Sequence, residues 1–110
     1  MFTVELISQR DLWNDTLRTL PFAHILQSWE WGEFKHKTTG WLPLRLAFKH
    51  GSEVVALASV GVRSVGPVKM MYLSKGPALD YANAELVDYV FGYLQSLARK
   101  AVRRLAENRP

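Results

Sequence analysis

The chain of 110 residues has no cysteine, which excludes a disulfide framework and any thiolate metal site. Long apolar runs are also missing. No stretch approaches the roughly 20 apolar residues that span a bilayer, so no transmembrane segment is expected. Met1 to Arg10 carries Glu5 and lacks a basic leader followed by an apolar run, which argues against a secretory signal. A cytoplasmic protein is the expectation. The seven glycines form no recognised phosphate-binding loop. His24, His36 and His50 are scattered over different segments, without the spacing of a paired metal site. Neither a metal nor a cofactor is expected.

What is present fits one small globular domain. The hydrophobic share is 48% and the charged share 22%, ordinary values for a folded soluble unit, and the length suffices for one core. The formal charge of +4 is unevenly placed. Residues 1–98 carry nine basic and nine acidic side chains, whereas Arg99, Lys100, Arg103, Arg104 and Arg109 face only Glu107. A solvated helix end accounts for such a tail, since cations suit the negative end of the helix dipole. Contact with nucleic acid is the rival reading.

Phe2 to Ile7 alternates as a strand does. Ser8 is placed to cap a helix with Asp11 in its first turn. That helix carries Leu12, Trp13, Thr16, Leu17 and Leu20 at helical spacing and stops at Pro21. Ser28 caps a second helix reaching about Thr38, ended by Gly40. Leu42, Leu44, Leu46 and Phe48 then alternate with Pro43, Arg45, Ala47 and Lys49, giving a strand with one buried face. After a turn at His50-Gly51, Val54 to Val62 is apolar on both faces and reads as a central strand. Gly66-Pro67 turns the chain into a third strand, Lys69 to Ser74, ended by Gly76-Pro77. Asn83 caps a long helix with the stripe Leu86, Val87, Val90, Phe91, Leu94, Leu97, Ala98, Ala101 and Leu105. The order implies an α+β fold with helices packed on a short antiparallel sheet.

Two segments carry candidate chemistry. In Gln27-Ser28-Trp29-Glu30-Trp31-Gly32-Glu33-Phe34-Lys35 the two tryptophans lie about 200° apart on a helix, so one enters the core while the other lines a groove. Trp31 and Lys35 share a side, setting an aromatic wall beside an ammonium suited to a phosphate or carboxylate. A core helix whose lysine merely snorkels past Trp31 is the plainer alternative. In Tyr72-Leu73-Ser74-Lys75-Gly76-Pro77 a strand breaks into a loop that holds Lys75 and the Ser74 hydroxyl at its mouth. The plainer alternative is a simple Gly-Pro turn. Ser74 and Lys75 point to opposite faces of a strand end, so they form no serine–lysine catalytic pair.

Taken in order, these two segments, with Gly40-Trp41 and Pro43 between them and Asp80 after, resemble the opening of the FemABX peptidyltransferases over roughly residues 20–98. The resemblance implies a partial fold related to the GNAT acyltransferases. It also implies transfer of an amino acid from aminoacyl-tRNA to the stem peptide of a muramyl-pentapeptide precursor in peptidoglycan synthesis. A lysine of the tryptophan-containing helix contacts the precursor diphosphate in the family, and Lys35 occupies the matching place. The expected precursor-binding residues are Trp31, Lys35, Ser74 and Lys75. No catalytic residue is assigned, and catalysis by this polypeptide alone is not expected, because family members continue into a second half of the acyltransferase fold. The expectation is thus one domain, residues 1–110, representing a truncated amino-terminal portion of such an enzyme. Its partners would be a UDP-linked or lipid-linked precursor and aminoacyl-tRNA. An uncovered sheet edge implies self-association. Two rivals stand beside this reading: a non-catalytic binding or assembly module, and a nucleic-acid-contacting module acting through the basic tail.

Overall fold

In the computed structural model, which describes residues 1–66, 68–73 and 75–107, the alternating opening forms β1 (Phe2–Leu6). Helix α1 (Arg10–Arg18) follows. Its cap position is Gln9, extended at φ −116° and making no side-chain cap bond. The Ser8 cap is therefore not formed, because helical geometry starts one residue later than its sequence signal. Asp11 does lie in the first turn. Of the expected stripe, Trp13 and Leu17 are buried, while Leu12 is 52% exposed.

A short 3-10 turn at Ile25–Gln27, not foreseen from the sequence, leads into α2 (Trp29–Thr39). The Ser28 Oγ accepts from the Trp31 N–H at 3.2 Å, and Gly40 closes the helix at φ +76°, a left-handed conformation that favours glycine. The chain then forms β2 (Leu42–His50), β3 (Glu53–Val65), β4 (Val68–Leu73), β5 (Ala78–Leu79) and α3 (Ala84–Glu107). At the start of α3, Asn83 Oδ1 accepts from the Leu86 N–H at 3.2 Å, as its capping signal implies.

Among the described residues the sheet has five strands in the order β1-β2-β3-β4, with β5 also on β3, and every pairing is antiparallel. The α+β reading is met, but the sheet does not end at Gly76-Pro77. Leu73 pairs with Val60, and Ala78 and Leu79 pair with Leu57 and Ala56. β4 and β5 are thus two parts of one line of pairing along β3, parted opposite Ala58 and Ser59. The cause is local: Lys75 at φ +58° and Gly76 at φ +75° turn the chain outward before it returns. Ser74 lies outside the described residues.

Both sheet faces are covered. One carries Leu46, Phe48, Ala56, Ala58, Val60 and Leu79 against Leu86, Val90 and Leu94 of α3. The other carries Ala47, Leu57 and Ala78 against Trp13 and Leu17 of α1, with Trp29 of α2 packed alongside. This is why β3 is apolar on both sides. It also corrects the one-sided reading of β2, where Arg45 and Ala47 are buried as fully as their neighbours. Along α3, Phe91 and Ala98 are exposed, whereas Tyr89 and Tyr93 pack edge-on against Phe48.

Trp13 ties this second core to the loop before α2, because its indole N–H donates to the Gln27 carbonyl at 2.8 Å. Trp13→Ala is expected to lower stability by about 3–5 kcal/mol, and Leu12→Ala by under about 1 kcal/mol; urea unfolding of the two variants checks the contrast. Gln27, 2% exposed, donates to the Gly76 carbonyl at 2.7 Å and accepts from the His24 N–H at 2.6 Å. Gln27→Leu leaves both groups without this partner and is expected to cost about 1–3 kcal/mol, with faster amide exchange at His24 and around Gly76.

Candidate functional site

The two tryptophans of α2 separate as their spacing demands. Trp29 turns to the sheet and joins the Trp13 core. Trp31 turns outward and stacks on Phe34, ring centroids 5.4 Å apart. Lys35, one turn after Trp31, sets its ammonium 5.4 Å from the centroid of the Tyr72 ring on β4, within cation–π range. Among the described residues no carboxylate lies within 4.0 Å of Lys35. Its positive charge is left for another partner.

The floor of this place is built by β2 and β3. Trp41 lies across Gly61, where an added Cβ would meet the ring at 3.3 Å, so glycine allows the close approach. The Trp41 and Tyr72 rings are 5.8 Å apart. Trp31, Gly32, Lys35, Trp41, Gly61 and Tyr72 enclose a cleft of about 10 Å³, with Pro43 and Ser59 at its base. That is room for about one water molecule.

The helix bearing Trp31 and Lys35 is held by Arg45, which the sequence reading placed on a polar strand face. Its side chain is only 6% exposed. The guanidinium carbon stands 3.4 Å from the Trp29 ring centroid, Nη2 donates to the Trp29 carbonyl at 3.0 Å, and Glu33 lies 3.5 Å away. Gly32 makes room for it, because a Cβ there would sit 2.8 Å from Nη2. Burial pulls the Arg45 pKa below its usual value, while Glu33 and Glu30 pull it back up. Glycine within a helix costs about 0.5–1 kcal/mol relative to alanine, and here the gap it leaves admits the arginine.

Beyond Trp31 lies a second, larger concavity. An open apolar groove of about 760 Å³ runs between α1, the 3-10 turn and α2, lined by Leu17, Ile25, Trp31 and Phe34 among others. Trp31 is a wall of both places. Its indole N–H is buried without a partner among the described residues.

The structure thus brings Trp31 and Lys35 together at one cleft. Lys75 is exposed on the turned-out segment and is not among the residues lining that cleft, and Ser74 is outside the described residues. Sequence reading missed Arg45, Gln27 and Gly61. Each acts through a partner distant in sequence, and only the glycine in a strand carries a local sign of close approach. Of the basic tail, the side chains of Arg103 and Arg104, and all of Arg109, lie outside the described residues. No helix among the described residues is long and apolar enough to cross a membrane.

Comparison with known proteins agrees with this fold. The lipid II:glycine glycyltransferase of Staphylococcus aureus is 29% identical over 85 residues, covering 76% of this chain and 20% of its own length. The proteins of the same name from strains USA300 and COL match equally. The crystal structure of FemX superposes with a TM-score of 0.75 at 25% identity, over 90% of this chain and 25% of that one. The chain therefore spans about a fifth of the length of the curated relatives it matches. The family model described as the FemAB family matches residues 14–107, nearly the whole of the sequence, and the chain belongs to that family.

Proposed function

We propose that this domain is the precursor-binding part of an aminoacyltransferase that builds peptidoglycan bridges. The observation that carries the proposal is the Lys35 ammonium, held over Tyr72 beside Trp31 with no carboxylate partner among the described residues. A diphosphate is the group such a cation suits, since charge-assisted bonds to phosphate are short and strong. The rigid backing from Arg45 and Gly32 fits the role, because a charge gains most when its position is set before the ligand arrives. Family membership and the name of the staphylococcal relative supply the substrate class. On this reading residues 1–110 form a single domain corresponding to the amino-terminal portion of the family fold, and Lys75, on the turned-out segment, is assigned to the precursor together with Ser74, which lies outside the described residues.

The reaction assigned to the enzyme is aminolysis of an ester. The amine of the precursor peptide attacks the carbonyl of the aminoacyl-tRNA, the ester C–O bond breaks, and the tRNA hydroxyl leaves as the amine gives up a proton. Use of a tRNA donor puts this chemistry in the cytoplasm. The share given to this domain is positioning. Holding the diphosphate fixes where the stem peptide emerges, and orientation of an amine on a carbonyl is a large part of such a rate enhancement.

Titration calorimetry with UDP-N-acetylmuramyl-pentapeptide is the test. Saturable binding is expected, weakened about 10- to 100-fold by Lys35→Ala and reduced by added salt. No binding by a folded chain, or equal affinity in the variant, would overturn the proposal.

A further inference from the structure

One side of the molecule carries aromatic rings that neither core uses. Phe22, Tyr81 and Phe91 stand in a row, Phe22 edge-on to Tyr81 at 5.3 Å and Tyr81 6.5 Å from Phe91. They are 70%, 40% and 36% exposed. Phe22 holds a left-handed backbone at φ +60°, a conformation that is strained for a bulky side chain. The strain holds out a ring that is mostly in solvent. An aromatic side chain offers about 150–250 Å² of surface, so the three leave on the order of 300 Å² open. A patch of that size often marks an interaction site.

The charges along α3 decide what can cover the row. Its exposed side carries Glu85 and Asp88 before Phe91, and Arg99 and Lys100 after it. Among the described residues none of the four forms an ion pair within 4.0 Å. At 3.6 residues per turn, Asp88 and Arg99 fall within about 20° of each other around the helix and about 16 Å apart along it. The helix dipole favours acids early and bases late, but it does not require them in one row. Gly92 lies between them on the same side, and an added Cβ there would meet nothing within 4 Å. Glycine weakens a helix relative to alanine, and the space in front of it lets another backbone come close. Ala98, on the Phe91 side of the helix, is exposed as well.

A ligand of one sign would match one end of this face and oppose the other. A second copy turned end for end matches both, because Asp88 of each copy then meets Arg99 of the other. That register sets the two-fold axis level with Tyr93 and Leu94. It lays the aromatic row of each copy along Gln95 and Ala98 of the other.

We infer that the exposed side of α3, with Phe22 and Tyr81 beside it, is the self-complementary interface of a two-fold dimer of this chain. The two rows bring about 600 Å² of apolar surface together. That forms the centre of a small interface, below about 1,200 Å², where transient complexes lie.

Sedimentation equilibrium of the chain over about 10 µM to 1 mM tests it, with a monomer–dimer equilibrium expected inside that range. Phe91→Ser is expected to weaken dimerisation at least about 10-fold. Phe22→Gly is expected to weaken it too while raising the thermal unfolding midpoint, because glycine relieves the left-handed strain. Asp88→Arg and Arg99→Asp are each expected to lower affinity about 5- to 20-fold, since two facing pairs become like-charged. Mixed in equal amounts, these two single variants are expected to pair with each other at close to wild-type affinity. The Asp88→Arg/Arg99→Asp double variant is expected to regain self-association. All the side chains changed are exposed, and an unchanged or raised midpoint confirms each fold. A chain that stays monomeric to the top of the range overturns the inference. Dimerisation that survives both Phe91→Ser and Phe22→Gly also overturns it and gives the contact to the sheet edge. A mixture that associates no better than its components excludes the end-for-end register and with it the interface.

Discussion

The outward face of α2 is set by what happens on its inward face, where Arg45 lies flat on the Trp29 ring at 3.4 Å. An arginine with 6% of its side chain exposed has given up most of its hydration, a large penalty for a charged group. Three contacts offset it: the aromatic face, the Trp29 carbonyl and the Glu33 carboxylate. Two of the three belong to the backbone or ring of one residue, so the arginine fixes α2 at Trp29. Its planar, weakly hydrated guanidinium can stack and donate at once, which a lysine ammonium cannot do. Rotation of α2 about its axis would break both contacts. These contacts hold α2 in one orientation, and that orientation puts Lys35 over Tyr72.

A second fastening works from the other end. Between β4 and β5 the chain leaves β3 and would expose the backbone of the turned-out segment to competing conformations. Gln27 reaches across from the 3-10 turn to the Gly76 carbonyl, and its own carbonyl is gripped by Trp13. The Tyr81 hydroxyl donates to the Pro77 carbonyl at 2.7 Å, closing the segment from its far side. One buried glutamine, through its backbone carbonyl and its side-chain amide, thus links α1, the loop before α2 and the break in the sheet. The break lies opposite Ala58 and Ser59, and Ser59 also lines the cleft beside α2, so the two fastenings meet at the middle of β3.

Much of this could be read from the chain order, and the parts that could not have a common cause. The Ser28 and Asn83 caps, the Gly40 stop and the two-sided burial of β3 depend on neighbours within a few residues, where local signals hold. Trp29 and Trp31 parted as helical geometry requires. Apart from the unformed Ser8 cap and the 3-10 turn, the failures involve partners far apart. Arg45 looks like the solvent face of a strand until α2 covers it. Gln27 finds its partner 49 residues away. β5, two residues long, has no periodicity to detect and exists only because β3 offers it an edge. Tyr89 and Tyr93 lie outside the apolar stripe read along α3, yet they pack their rings on Phe48. The Trp31–Lys35 pair was legible because both residues sit on one helix. The cleft was not, because Trp41, Gly61 and Tyr72 come from three other places.

The distribution of exposed apolar side chains bears on what the site is for. Single exposed hydrophobics on a small domain need no explanation. Here Ile25 and Phe34 are both more than half exposed and border one groove, and Tyr72, 39% exposed, stands at the adjoining cleft. The inner face of α2 already provides its burial through Trp29, so a polar outer face would leave the fold intact. Instead that face carries an indole stacked on a phenyl ring, followed at once by an ammonium. The fold does not require that sequence of groups, which is the reason the proposed ligand site is placed on this face.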